Sequence, residues 1–347
     1  MSYATTLAAP RPSAFRHQPP SVVMQWVMAL GMNGVMRPLI RGLEATGRAD
    51  RFLSSMAAHG RKRQEENPFV RYTPGPQDVV VMTYPKSGTN WMMQIAHQLI
   101  HHGRGEYDHI HDVIPWPDIE TMPGFMRRYA IPLDQATAWE SAPERKRVIK
   151  THFNWDLVPY SPDARYIAVI RDPKDVFVSS YFFLRDGVYG GAMPRVDTWY
   201  RAYLSKNFMM GGSWGVNAAG YWAQHQRPNV LALSFKSMKK DLRATVRRVA
   251  EFLGIAASEA LIDDVYRLST FEHMKSIDHK FNMGKMIPWR EAGAMIRKGR
   301  HSGSSELITA AQQREIDAHF QAELRELGSD FPYAEFCELA PSDSTSR

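Results

Sequence analysis

The chain has 347 residues, 44% hydrophobic and 23% charged, an ordinary globular composition that allows a large buried core. Its formal net charge of +7 suits an anionic ligand, a nucleic acid or an acidic membrane surface, without choosing among them. The single cysteine, Cys337, excludes an intrachain disulfide and makes a reducing, cytoplasmic setting the default expectation.

Residues 1–20 are polar and proline-bearing; they read as disordered and lack the basic start and immediate apolar run of a secretory signal. Residues 21–66 read as helices with a charged end, Arg61-Lys62-Arg63-Gln64-Glu65-Glu66. The apolar stretch 22–40 is interrupted by Gln25, Asn33, Arg37 and Pro38, so it reads as an amphipathic helix, buried or interfacial, rather than a bilayer span. Pro68, Pro74, Gly75 and Pro76 then punctuate the chain. The expected organisation is a helical extension over 1–75, a main domain over 76–335 and a tail over 336–347.

Residues 78–84 (DVVVMTY) form a short β-branched apolar run, the mark of a buried strand. Trp91, Ile95 and Leu99 recur every four positions and predict a helix after it. Residues 103–144, rich in Pro, His and Trp, read as a long irregular excursion with short helices. Two more strands are expected at 147–151 and 166–170, the second leading into a helix that Asp172 can cap and Pro173 can open. A fourth strand at 229–234 precedes an amphipathic helix on Leu242, Val246, Val249 and Leu253, ended by Gly254. Alternating strands and helices imply an α/β fold, a mostly parallel central sheet with helices on both faces.

Three segments carry chemistry. Thr83-Tyr84-Pro85-Lys86-Ser87-Gly88-Thr89-Asn90-Trp91 joins a strand to a helix, so backbone amides and a positive helix end converge on one point, with Lys86, Ser87, Thr89 and Asn90 adding donors. It lacks the GxxxxGK[ST] spacing of a Mg-dependent P-loop. Arg171 leaves the strand 166–170 where α/β ligand crevices form, and Ser179 lies two turns into the next helix. The strand 147–151 ends in Lys150-Thr151-His152, where a histidine at the strand end can serve as a general base. His97, His101, His102, His109 and His111 read as solvated or as pocket lining; His97 and His101 are four apart but lack the glutamate of HExxH. A P-loop kinase and a non-catalytic nucleotide or nucleic-acid binder are the competing readings. No Walker spacing favours the first, and no nucleic-acid-binding signature favours the second.

The nine residues from Thr83 to Trp91 resemble the TYPKSGTxW motif that binds the 5′-phosphosulfate in PAPS-dependent sulfotransferases (PAPS, 3′-phosphoadenosine 5′-phosphosulfate). The segment YIAVIRDPKDVFVSSY resembles that family's 3′-phosphate motif, and Arg297-Lys298-Gly299 its RKG segment. The resemblance covers roughly residues 78–330. It implies the family's P-loop-like fold, PAPS as co-substrate with PAP as product, no metal, no nucleic acid, and a small hydroxyl-bearing acceptor. It implies His152 as general base, with Lys86 and Lys150 facing the charge that develops. The 5′-phosphate would fall to Lys86, Ser87, Gly88, Thr89 and Asn90, and the 3′-phosphate to Arg171, Ser179, Arg297, Lys298 and Gly299. The adenine would fall to Trp91 and to Phe271 of a TSF-like Ser269-Thr270-Phe271. Phe235 stands where the family often has a tyrosine, and no Asp-Trp pair follows Gly299. The family's C-terminal dimer motif has no match near Thr309, so the oligomeric state stays open. Met and aromatic residues in 103–130 and 276–295 suggest an apolar, lipid-like acceptor. The run 21–45 suits either a peripheral membrane contact or an acceptor entrance. The loop 276–303, glycine-hinged and basic, is expected to close as a lid.

Overall fold

The computed structural model describes residues 15–341 except 123, 210, 211, 286, 287, 290–292 and 298–303, with only the backbone of 125 and 127. Helices α1 (Val22–Leu30), α2 (Arg37–Ala45) and α3 (Ala49–Glu65) open the chain, and a π turn over Gly31–Met36 joins the first two. Strand β1 (Asp78–Thr83) leads into α4 (Thr89–Ile100), and β2 (Arg147–Thr151) follows the excursion. Strand β3 (Arg165–Ile170) leads into α5 (Pro173–Leu184), followed by α6 (Val196–Tyr203) and α7 (Trp214–Trp222). Then come β4 (Val230–Ser234), α8 (Phe235–Lys240), α9 (Leu242–Leu253), α10 (Glu259–Leu268), α11 (Phe271–Ser276), α12 (Ala310–Glu326) and α13 (Tyr333–Phe336).

The four strands pair in parallel in the order β2-β1-β3-β4. Alternate residues feed two cores, which is why the strands read as unbroken apolar runs. Val80, Met82, Tyr166, Ala168 and Ile170 face one side with Phe177, Tyr203 and Phe320. Val79, Val81, Ile167 and Val169 face the other with Ile95, Val249 and Val265. Ile40 and Leu53 of the N-terminal helices sit in the first of these cores. The caps read from sequence form: Asp172 accepts the Lys174 amide at 2.9 Å, and Gly254 ends α9 at φ 72°.

Two expectations are corrected. Residues 15–20 are not disordered: the His17 ring stacks on His109 at 3.8 Å, its amide donates to Asp112, and the Gln18 amide donates to the Arg128 carbonyl at 3.1 Å. Ring stacking and backbone pairing hold a segment that composition alone marks as polar; residues 1–14 lie outside the described residues. Of the five histidines expected to be solvated or to line the pocket, four are buried and none lines the cavity. His97, His101, His109 and His111 are buried, and of the five only His102 is exposed, paired with Glu144 at 2.6 Å. Each buried ring packs against another aromatic ring, which supplies the contact that water was expected to supply.

Candidate active site

The four parallel strands deliver their C-terminal ends to one side, and the order reverses between β1 and β3, where α/β crevices open. Lys86 follows β1, His152 follows β2, Arg171 follows β3 and Phe235 follows β4. A cavity of about 1270 Å³ lies there and touches all four.

The loop between β1 and α4 is tightly determined. Gly88 sits at φ 104°, and a Cβ on it would lie 2.8 Å from the Phe235 ring, so the site needs glycine for both conformation and space. Lys86 itself holds φ 71°, a sparsely populated region for a non-glycine residue. The Arg171 guanidinium steadies it by donating from Nη1 to the Lys86 carbonyl at 3.1 Å. The Lys86 ammonium lies 3.9 Å from the Phe183 ring centre and 3.8 Å from the Met295 sulfur. Burial, with Arg171 nearby, pulls it down to about 7. Thr89 and Asn90, at the start of α4, line the cavity beside it.

Arg171 stacks on Phe235 at 4.4 Å and reaches Asp175 at 3.5 Å. Ser179 lines the same wall. Arg297 also faces the cavity, lying over Phe182 at 4.1 Å and paired with Glu306 at 2.9–3.0 Å. Lys298 and Gly299 lie outside the described residues, as does much of the expected lid, although Met283, Met295 and Ile296 of that loop do line the cavity. Trp91 meets Phe235 edge-on at 5.5 Å and donates to the Ser269 carbonyl at 2.7 Å, so Ser269 stands behind Trp91 as its anchor. Phe271 is 39% exposed at the rim.

Two buried polar atoms of the loop and the adjoining strand end have no hydrogen-bond partner, Ser87 Oγ and Arg171 Nε. Unpaired buried polar groups are unfavourable. Together with an ammonium, a guanidinium and a helix N-terminus they fit an anionic nucleotide.

At the end of β2, the His152 imidazole has Nδ1 2.9 Å from the Thr83 carbonyl. A carbonyl can only accept, so Nδ1 carries the hydrogen and Nε2 keeps its lone pair. Burial, reinforced by Lys150, pushes this histidine down to about 3. The Lys150 ammonium lies 3.5 Å from the Trp116 ring centre and 3.4 Å from His111 Nε2. Burial lowers it to about 7, with Asp118 opposing.

Asp118 is the main residue that sequence reasoning missed. It is fully buried, and it accepts from the Thr151 hydroxyl at 2.8 Å and from the His152 amide at 2.6 Å. Burial raises it to about 6 against those bonds. One acid flanked by Trp116, Pro117 and Ile119 was the signal for it. Beyond His152 the cavity wall becomes apolar, with Met122, Met126 and Tyr129 from the excursion and Met28, Met32 and Met36 from the N-terminal helices.

Residues 76–328 match the family described as "Sulfotransferase domain". The curated relatives include sulfotransferase 2A1 of Macaca fascicularis, 29% identical over 74% of this chain and 88% of that protein. Sulfotransferase 1C2 of Oryctolagus cuniculus is 27% identical over 74% and 86%. Among solved structures, mouse sulfotransferase SULT7A1 complexed with PAP aligns with a TM-score of 0.56 at 21% identity, covering 74% of this chain and 88% of that one. Retinol dehydratase in complex with retinol and PAP aligns at 0.59 and 20%, covering 77% and 86%; at such identities these two speak for the fold alone. With a family match across most of its length and a parallel sheet whose strand ends carry an anion-binding loop, the chain belongs to the sulfotransferase family and is a PAPS-dependent sulfotransferase.

Proposed function

We propose that this enzyme transfers the sulfuryl group of PAPS to the hydroxyl of an apolar small-molecule acceptor, a lipid, steroid-like, phenolic or polyketide alcohol, with His152 as general base. The observation that carries this reading is the cavity's polarity: cationic at Lys86, Arg171 and Arg297, lined by methionine and aromatic rings at the other end, with His152 on the same wall. Retinol dehydratase, a structural neighbour, holds retinol and PAP together, which supports an apolar alcohol beside the nucleotide.

The donor supplies the sulfuryl group; the acceptor oxygen bonds to sulfur as the bond from sulfur to the bridging phosphate oxygen breaks. His152 Nε2 takes the acceptor proton, because Nδ1 is committed to Thr83. The imidazole is neutral at pH 7, held down first by burial, and a bound anion offsets the smaller part of that shift due to Lys150 and Lys86. Lys86 meets the charge growing on the bridging oxygen, and Lys150, caged by Trp116 and His111, meets that on the sulfuryl oxygens. One preorganised donor of this kind contributes about 3–4 kcal/mol to the barrier reduction. Ser87, Gly88, Thr89 and Asn90 would hold the 5′-phosphate, Arg171, Ser179 and Arg297 the 3′-phosphate, and Trp91, Phe235 and Phe271 the adenine. Ser269 would act through Trp91.

Initial rates with PAPS over a series of alcohols of increasing apolar size test the assignment. We expect kcat/KM to climb with size and to be unchanged by excess EDTA. Equal kcat/KM for small polar and large apolar alcohols would rule out the acceptor class.

A further inference from the structure

We propose that the outward face of residues 22–45 seats the protein on an anionic lipid surface and opens the acceptor end of the cavity at that contact. The face is a continuous apolar stripe rather than scattered surface residues. Val22, Val23, Trp26, Val27 and Leu30 are 50–74% exposed, and Val35 and Leu39 carry the stripe on at 63% and 41%. The spacing explains why it stays in line. Val22, Trp26 and Leu30 are four apart, the helical repeat. Val35 comes five after Leu30, and the intervening π turn over Gly31–Met36 absorbs the extra residue before Leu39 resumes the spacing of four. The Trp289 ring, 57% exposed, lies 5.4 Å from Trp26 and widens the patch.

Charge selects the occupant. Residues 1–43 contain no Asp or Glu and carry Arg11, Arg16, Arg37 and Arg41. The first acid, Glu44, is paired with Arg41 at 2.6 Å. An apolar stripe in a segment with four arginines and one acid matches a bilayer whose headgroups are negative and whose interior is hydrocarbon. Among the described residues no helix is long and apolar enough to cross a membrane, so the helix would lie in the interface. The opposite face of the same helix faces inward: Met28, Met32 and Met36 line the cavity, and Ala29 packs with Trp116 and Tyr129. Val35 both lines the cavity and is 63% exposed, so it stands at the mouth. An apolar alcohol dissolved in the bilayer would then enter without crossing water. This last step rests on the proposed acceptor class, whereas the docking itself does not.

The test uses the full chain, because Ile40 and Leu53 belong to the main core and deleting the helices would disturb the fold. Co-sedimentation is measured with phosphatidylcholine vesicles alone and with about 30% phosphatidylglycerol added, for the wild type and for Trp26→Ser/Val27→Ser/Leu30→Ser. The wild type should partition at least about tenfold more onto the anionic vesicles, and the triple variant should lose about tenfold of that. PAP-induced thermal stabilisation should be unchanged, which certifies the variant's fold; Leu30→Ser alone, with a smaller loss in the same direction, serves if the triple variant fails that check. No binding by the wild type, or equal binding by a folded variant, overturns the proposal. So does a concentration-dependent dimer, seen by analytical ultracentrifugation, that the variant loses while the wild type ignores vesicles: the stripe would then belong to a second copy. Because partitioning is read without acceptor or turnover, a wrong acceptor class leaves the result intact. Normal turnover of a soluble phenol alongside absent vesicle binding would sink the docking alone.

Discussion

The two ends of the cavity are built differently. The cationic end is assembled from strand termini and one tight loop whose backbone is closely held: Gly88 has no room for a side chain beside Phe235, Arg171 donates to the Lys86 carbonyl, and Trp91 donates to the Ser269 carbonyl. The other end, which the proposed function gives to the acceptor, is walled by methionines of α1, the π turn and the excursion, and those of α1 and the π turn lie before the residues that match the family. Methionine is unbranched and fills irregular space, so such a wall adapts to its occupant. On the proposed assignment, the contrast teaches that geometry is invested where the donor must be aligned, and pliability where an acceptor would be chosen.

The strongest way to break that division is at its boundary. His152→Ala should lower turnover by about 10²–10⁴ while PAP affinity, by isothermal titration calorimetry, stays within a few-fold. Wild-type turnover in this variant would remove the imidazole from the chemistry, and a collapse of PAP affinity would show that the two ends are not separable. Next in size is Gly88→Ala. A Cβ 2.8 Å from the Phe235 ring at φ 104° should weaken PAP by about tenfold to a hundredfold, since such strain amounts to about 1–3 kcal/mol. Apolar acceptors should keep their KM at saturating PAPS.

A proton signature sharpens the same contrast. Lys86 and Lys150 sit at about 7 in the free protein, depressed chiefly by burial. A bound anion favours their charged forms and so raises both. Binding PAP should therefore take up protons, and affinity should fall as pH rises above about 7. Calorimetry in buffers of different ionisation enthalpy measures the uptake; zero uptake between pH 7 and 8 would contradict the electrostatics. The smallest effect belongs to the pliable wall. Met32→Ala should raise KM for a large apolar acceptor only a few-fold, because neighbouring methionines can shift inward. PAP affinity, measured on the same preparation, should not move.

How much of this was legible in the chain follows from the same physics. All four strands, the α9 stripe and the Asp172 and Gly254 caps were readable because periodicity and capping are local signals. The anion loop, Arg171 and His152 do stand at strand ends, but position alone did not single them out; the resemblance of their motifs did. Asp118 was not readable: its partners Thr151 and His152 lie 33 and 34 residues away, and its turn has no periodicity. The left-handed backbone of Lys86 leaves no compositional trace either, since it is imposed by Arg171 and the loop around it. The histidines of the excursion misled for a related reason. A polar ring looks solvated in sequence, but here stacked neighbours bury it.

The strand order has a consequence for how the molecule comes into being. β1 emerges from the ribosome early, yet both its neighbours come from residues 147 onward, and the last strand ends at Ser234. The sheet is incomplete until about two-thirds of the chain has been made, Phe271 and Arg297 of the cavity come later still, and pairings so distant in sequence form slowly. For the same reason PAP cannot bind a half-folded intermediate through a preformed half-site. Its affinity is a report on completion of the whole sheet, and a ligand at about 100 times its Kd adds about 2.7 kcal/mol to that completed state alone. Any supply of the nucleotide during synthesis would therefore act as a late clamp on the finished domain and leave its earlier folding steps unaided.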